Sequence, residues 1–403
     1  MSEIADVLVV GAGPAGASAA LAALRQNPEA DVRLLDLADF PRDKACGDGI
    51  APHALTELER LGVPRAEITR GHGPIRTLDL RSPAGVRLEA HPHDAMHVIP
   101  RTVFDARLVQ AARAKGATLV KHRARHLKTH DGYVSVDGEH AGRTLIVADG
   151  ANSTLRRALD IPRNGDQHLA VAIRGYAPER PTDHVEPTQL ITMQDSWPAY
   201  AWSFPLADGS GTANIGYGRL RSQLRTRHDA THPGPEAAGR QDLEDELERL
   251  LPGQPAEGLR AHHLPLSTWR PHQPDGRVLL VGDAASLVNP LTGEGIFYAV
   301  RSGRLAGEAA VSSDDPGRTY REALHAALGR HLRQTTWLAN LSRRHHTMDA
   351  AMDAARARPE TMHRLIDLGL GDGLIPKRMV PRVLAHYARR RLVSRPSSTD
   401  PAR

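Results

Sequence analysis

The chain has a single cysteine, Cys46, in 403 residues. That excludes an intramolecular disulfide and a cysteine zinc cluster, and it fits a reducing cytosol. Aromatic residues make up 4% of the sequence, too few for base-stacking surfaces. No run approaches the roughly 18 apolar residues of a membrane span. Met1 to Asp6 carry acids and no basic n-region, so no signal peptide is expected. Lysine is scarce, and arginine supplies most of the 52 basic residues. Against 47 acidic residues the net charge is +5, too diffuse to argue for nucleic acid. What remains is an ordinary globular composition, 40% hydrophobic and 25% charged, and a cytoplasmic location is expected. At roughly 150 residues per domain, the length predicts two or three domains.

Residues 6–10 form a short apolar run, followed by glycines and an alanine-rich stretch to Arg25, then a second strand at 31–36. This strand, tight turn, helix and strand make a βαβ unit with parallel strands. Helical spacing recurs at 52–62 and 101–115, and buried strands are expected at 117–121, 143–148 and 277–281. Residues 75–98 read as antiparallel strands. So do 168–176, 187–194, 199–205 and 211–217. Residues 219–240 read as a loop or a solvated helix covering an edge, 241–251 as a short acidic helix, and 318–368 as mostly helical. The tail from Ser394 reads as frayed.

The expected fold is α/β. A discontinuous Rossmann-like dinucleotide-binding domain (1–70, 96–160 and 271–330) is interrupted by an inserted β-sheet substrate domain (71–95 and 161–270). A helical C-terminal region (331–403) follows.

Gly11-Ala12-Gly13-Pro14-Ala15-Gly16 is a GxGxxG turn between strand and helix. Gly11 permits the turn, Gly13 lets backbone approach a pyrophosphate, and Gly16 allows close helix–strand packing. The helix N-terminus offers free N–H groups to phosphate. Asp36, 20 residues past Gly16, is placed to accept ribose hydroxyls. Asp149 closes the strand near 145. Gly282 and Asp283 close the strand at 277–281, where Asp283 is placed to accept a ribityl hydroxyl. Gly293 and Gly295 open a helix whose N-terminus suits a developing anion.

These segments carry a family resemblance. Gly282-Asp283-Ala284-Ala285 and Asp149-Gly150 resemble the GD and DG motifs of FAD-dependent oxidoreductases with the p-hydroxybenzoate-hydroxylase-like fold. Phe40-Pro41-Arg42-Asp43-Lys44-Ala45-Cys46-Gly47-Asp48-Gly49 resembles the segment after the second strand in the geranylgeranyl reductase family. Pro198 to Pro205 resembles that family's YxWxFP motif, and Asn289 to Ile296 its flavin-proximal turn. The resemblance spans residues 6–310. It implies non-covalent FAD, with Ala15, Arg42, Lys44, Cys46, Gly47, Pro290, Glu294 and Ile296 joining the residues above as contacts. It also places Arg101 near the pyrophosphate. NAD(P)H or an external reductant, such as a separate reductase, is the implied electron donor.

Tyr200, Trp202 and Phe204 share one face of a strand. They form either an apolar wall for flavin and substrate or ordinary sheet core. Cys46 is either a proton donor or a small buried hydrophobe, and Asp48 is either a proton source or, as preferred, a turn cap. Cys46, Tyr200 and Trp202 are the candidate catalytic residues. No metal is expected, because His262-His263 and His345-His346 lack an acidic partner at ligand spacing. Residues 377–392 carry an apolar stripe beside basic residues. This suits an interfacial helix in peripheral membrane contact, or a terminal helix docked on its own protein.

The function implied is reduction of carbon–carbon double bonds in a small hydrophobic, prenyl-type substrate by hydride from reduced flavin. Alternatives are a flavin monooxygenase or tailoring oxidoreductase, and a non-catalytic flavin-binding protein. A halogenase would carry WxWxIP where this chain has Tyr200, Trp202, Phe204 and Pro205.

Overall fold

Strand β1 (Ile4–Val10) is apolar along most of its length because both faces of its sheet are covered. Val7, Leu8 and Val9 have no exposed surface. Helix α1 (Pro14–Gln26) starts with a proline at a position that needs no amide hydrogen, and Pro28 follows its end. Strand β2 (Val32–Asp36) completes the expected βαβ unit. The computed structural model describes residues 3–181, 186–194, 197–224, 235–344 and 346–393. The tail from Ser394, residues 225–234 of the expected loop or solvated helix, and His345 lie outside the described residues.

A two-residue strand β3 (Gly49–Ile50) leads to α2 (Pro52–Arg60) and α3 (Arg65–Thr69). Strands β4 (Thr77–Arg81) and β5 (Arg87–Ala90) form a hairpin. Strand β6 (His97–Val98) pairs with β3, so it stands apart from that hairpin. Then come α4 (Arg101–Ala114), β7 (Thr118–Lys121), β8 (Leu127–Thr129), β9 (Val134–Val136), β10 (His140–Val147) and α5 (Thr154–Ala158). The larger antiparallel run is β11 (Leu169–Pro178), β12 (Thr188–Met193), β13 (Tyr200–Pro205) and β14 (Thr212–Leu220). Helix α6 (Pro235–Leu250), β15 (Glu257–Pro265) and β16 (Val278–Leu280) precede the C-terminal helices. These are α7 (Ile296–Ser312), α8 (Pro316–Ser342), α9 (Thr347–Ala357), α10 (Pro359–Leu370) and α11 (Val380–Val393).

Two sheets result. The first runs β7-β2-β1-β10-β9-β8, with β16 also on β10. Its β7, β2, β1, β10 and β16 are parallel, which is the Rossmann-like arrangement. Helices α1 and α7 cross one of its faces at very close range. A Cβ on Gly303 would stand 2.1 Å from the Ala15 carbonyl oxygen, and one on Gly307 would stand 2.1 Å from that of Ala19. The alanines of α1 and the glycines of α7 are there because nothing larger lets the two backbones meet.

The second sheet runs β15-β11-β14-β13-β12-β4-β5. Here the structure departs from sequence expectation in three places. Strand β4 joins β12 in parallel as well as pairing with β5. Helix α6 is longer than residues 241–251, and it covers a sheet face, not an edge. Its Leu243 and Leu247 pack with Ile173, Ile215 and Tyr217. Strand β15 is an addition: as a partly exposed edge strand, it lacks the apolar alternation that marks strands.

Helix α8 is capped by the Asp315 side chain, which accepts the Arg318 N–H. It is pinned to the first sheet by Tyr320, whose hydroxyl donates to the Leu280 carbonyl at 2.9 Å. Helices α9 and α10 lay Met352, Met362, Leu365 and Ile366 against Leu80, Leu88 and Phe204 of the second sheet. Among the described residues, no helix is long and apolar enough to cross a membrane.

Candidate active site

A cavity of about 920 Å³ opens between the two sheets and the C-terminal helices. One end is polar. Strand β1 delivers Gly11 with φ +98°, where a Cβ would stand 2.3 Å from the Ala148 carbonyl oxygen. A Cβ on Gly16 would lie 1.8 Å from the Gly11 carbonyl oxygen. Gly13 differs: its Cβ would meet only Arg42 Nη2 at 3.5 Å and Arg101 Nη2 at 4.0 Å. Its backbone therefore faces the cavity with room for a ligand. The α1 N-terminus above it has no side-chain cap and no acid in its first turn, so its N–H groups await an anion.

Two arginines share one carboxylate beside that turn. Arg101, buried at the start of α4, pairs with Asp105 at 2.6 and 2.7 Å. Arg42 reaches the same fully buried Asp105 at 3.1 Å. One positive charge is left over next to the helix N-terminus, as an anionic ligand requires. Asp36 accepts the Ala12 N–H at 2.8 Å and the Ala38 N–H at 2.9 Å. It braces the glycine turn, and its oxygens retain acceptor capacity.

Asp149 caps α5 through the N–H groups of Thr154 and Leu155. Its second oxygen is buried and unpaired, and burial raises its pKa. Asp283 lies 3.4 Å from Lys44 Nζ and 4.0 Å from His262 Nε2. Burial opposes its charge, but Lys44 and His262 outweigh that and hold its carboxyl well below the usual range. His262, in turn, is lowered by burial and by Lys44. Burial pushes Glu294 up to about 7, although its Oε1 accepts the Phe297 N–H at 2.8 Å.

Cys46 and Gly47 sit where this polar end meets the rest of the cavity. Their loop is clamped onto β11 and β14. The Cys46 carbonyl accepts from Arg174 Nε at 3.1 Å and Asn214 Nδ2 at 2.9 Å. Arg174 also donates to Asp43 at 2.6 Å. Asn214 Nδ2 donates to Asp48 at 2.8 Å, and Asn214 Oδ1 accepts the Trp202 indole N–H at 2.9 Å. Desolvation pushes the Cys46 thiol up, so it holds its proton.

Asp48 is not a turn cap. Its carboxyl is fully buried and accepts from Tyr176 Oη at 2.6 Å and from Asn214. Burial pushes it up to about 6 from an ordinary 3.8. A raised folded value means that the folded state binds this proton more tightly. The stability gained is full below about pH 4 and is lost as pH rises to about 6, by roughly 3 kcal/mol. Asp48→Asn is therefore expected to gain in Tm relative to the parent between about pH 4.5 and about pH 7.5, in thermal unfolding of the flavin-bound protein. A pH-independent difference would contradict the assignment.

The other end of the cavity is apolar. Tyr200, Trp202 and Phe204 form a wall, with successive ring centroids 5.9 and 6.3 Å apart. The Tyr200 hydroxyl donates to the Thr292 carbonyl. A Cβ on Gly47 would stand 3.4 Å from the Trp202 indole nitrogen, so loop and wall touch. Opposite lie Trp337, Met352, Met362, Leu365, Met379 and Leu384 from α8 to α11. Among the described residues, α8 to α11 add no charged side chain to the lining.

The cavity brings together the sequence-expected Gly11, Gly13, Ala15, Asp36, Arg42, Lys44, Cys46, Gly47, Arg101, Asp149, Tyr200, Trp202, Asp283, Pro290, Gly293, Glu294, Gly295 and Ile296. Gly16 and Gly282 do not line it; they serve packing and the turn, Gly282 with φ +55°. Sequence reasoning missed Arg174, Tyr176, Asn214 and His262. The one available signal was period-2 placement of Arg174 and Tyr176 on an apolar strand. The C-terminal stripe, Met379, Val380, Val383 and Leu384, lines the cavity, so α11 faces its own protein there.

Residues 4–307 match the model of a family described as FAD binding domain. The chain is 38% identical to a menaquinone reductase of Mycolicibacterium smegmatis, over 77% of this chain and 78% of that protein. It is 33% identical to digeranylgeranylglycerophospholipid reductase 1 of Methanopyrus kandleri, over 76% and 80%. A solved geranylgeranyl bacteriochlorophyll reductase-like protein from Thermoplasma acidophilum superposes with a TM-score of 0.71 at 20% identity, covering 96% of each chain. At that identity the likeness shows the fold alone.

Proposed function

The chain belongs to the FAD binding domain family, and on that premise we propose that it is an FAD-dependent reductase that saturates carbon–carbon double bonds of a polyprenyl lipid with an uncharged head group. The cavity fits FAD by its chemistry. Gly13 leaves backbone room, the α1 N-terminus and the surplus charge of Arg42 and Arg101 suit a pyrophosphate, and the unpaired Asp149 oxygen sits in the wall. Asp36, Lys44, Asp283 and Glu294 would complete the contacts, with Gly293 and Gly295 at the start of α7. When bound, the flavin supplies the hydride.

The chain's own residues supply the rest. An isolated alkene is a poor hydride acceptor, so the two reacting carbons must be held against both a hydride and a proton source, away from water. Tyr200 and Trp202 orient the isoprene unit by flat apolar contact. The Cys46 thiol, kept protonated by burial, stands at the junction and gives the second carbon its proton. Hydride to one carbon and proton to the other balance the reduction. NAD(P)H or a separate reductase restores the reducing equivalents, and anaerobic bleaching of the bound flavin by NADPH alone distinguishes them.

One observation carries the substrate class: α8 to α11 line the cavity without a described charge, and the charged lining comes from the other elements, Arg42, Lys44, Arg101 and Asp283 among it. A diphosphate in the apolar arm would be unpaired and desolvated. The test is competition between a polyprenyl quinone and a prenyl diphosphate of equal chain length. The quinone is expected to win by at least about tenfold in kcat/KM. Preference for the diphosphate would overturn the head-group assignment.

The relatives named reductases favour this reading over oxygenation. Peripheral membrane contact belongs to the same proposal. Trp337 and Leu384 are 50% and 48% exposed, yet both line the cavity, and Arg389 is exposed on α11. An apolar rim with an exposed cation on the same helix as Leu384 suits an anionic bilayer that delivers lipid. Trp337→Glu combined with Leu384→Glu is expected to lower sedimentation with anionic vesicles by about tenfold. Unchanged sedimentation would remove the membrane step.

A further inference from the structure

We propose that His122, Glu139 and His140 bind a divalent transition-metal ion, zinc-like in its ligand preference, at a site separate from the substrate arm. The set does not announce itself in sequence, because His122 follows β7 while Glu139 precedes β10 and His140 begins it. The fold brings them together: one ligand atom from each lies within 4.8 Å of the others. The two imidazoles meet edge to face, with centroids 4.6 Å apart.

The ring of His122 is already oriented. Its Nε2 lies 2.8 Å from Asp137 Oδ2. Asp137 is fixed in turn by the N–H of His126 at 2.8 Å to Oδ1 and the N–H of Arg125 at 3.1 Å to Oδ2. A carboxylate that accepts from one imidazole nitrogen puts the proton there. The other nitrogen, Nδ1, is left as a lone pair, and this is the arrangement that raises ligand basicity in metal sites. His122 Nδ1 lies 3.9 Å from Glu139 Oε2. Tetrahedral ligands around zinc stand about 3.3 Å apart, so a small rotation of the exposed Glu139 side chain closes the set. The fourth position stays open to water.

Two imidazoles and a carboxylate select zinc or nickel over calcium or magnesium, which want oxygen. The ion would tie the turn between β9 and β10 to a wall of the cavity. His122 N donates to the Asp36 carbonyl at 2.8 Å, and His122 and Arg123 line the cavity.

The test is zinc titration of tag-free, flavin-loaded protein against a competing chromophoric chelator, with Tm as a second readout. One equivalent is expected to bind and to raise Tm. His122→Gln with His140→Gln should lose that equivalent. Asp137→Asn, which touches no ion directly, should weaken it by at least about tenfold. Retained flavin in each variant shows that it folds, and His140→Gln alone serves if the double variant does not. No uptake by the parent, or equal uptake by parent and variant, would overturn the site and leave a hydrogen-bonded turn.

Discussion

Gly13→Val purifies folded and colourless. The glycine turn holds three glycines with different roles expected from sequence, and their surroundings differ in the same way. A Cβ on Gly11 or Gly16 would stand 2.3 or 1.8 Å from a carbonyl oxygen of this chain. Those substitutions therefore act on folding whether or not a ligand binds. A Cβ on Gly13 meets no backbone, only guanidinium ends: Arg42 at 3.5 Å and Arg101 at 4.0 Å. The valine methyls would instead fill the space through which a pyrophosphate reaches the α1 N-terminus. Flavin affinity is expected to fall by at least about a hundredfold, or roughly 3 kcal/mol. The apoprotein should keep the circular dichroism of the parent apoprotein. Gly16→Val should be insoluble. Flavin absorbance per protein, measured after gel filtration, checks both. Stoichiometric flavin in Gly13→Val would sink the assignment of this end of the cavity.

Asn214→Leu is expected to retain flavin but lose about a hundredfold in turnover. Asn214 is fully buried and makes three contacts that meet at the junction: Trp202 Nε1, the Cys46 carbonyl and Asp48. Leucine keeps the branched shape and the number of side-chain heavy atoms, at the cost of some overpacking, while these groups lose partners. An unpaired buried donor or acceptor costs about 1–3 kcal/mol, and the loop can escape by shifting. A displacement of about 1 Å at a reacting centre costs about a hundredfold. Asn214→Asp should be worse than leucine above about pH 6, because a second carboxylate then faces Asp48. The pH profiles of kcat for the two variants, beside flavin content, separate positioning from simple destabilisation. Parent-like turnover in Asn214→Leu would show that the clamp does not set the geometry.

The first βαβ unit was legible because its signals are local. Gly11 to Gly16 and Asp36 lie within one strand–helix–strand span, where turn chemistry and periodicity act over few residues. Tyr200, Trp202 and Phe204 were legible through strand alternation and through their resemblance to the YxWxFP motif. The clamp was not. Asn214 meets Cys46 across 168 residues and Arg174 meets it across 128, and no local pattern encodes such a pairing. Asp48 was misread for the same reason. An aspartate between glycines signals a turn, and Asp48 does have φ +59°, but β11 and β14 bury it. Strand β15 escaped because edge position relaxes alternation.

The central claim is that this cavity reduces an alkene. The most direct test is mass spectrometry of a polyprenyl quinone incubated with reduced holoenzyme, once under air and once without oxygen. The account predicts a product that gains pairs of hydrogens in the prenyl chain under both conditions. A product that gains oxygen, and only under air, would contradict it and identify a monooxygenase on the same fold.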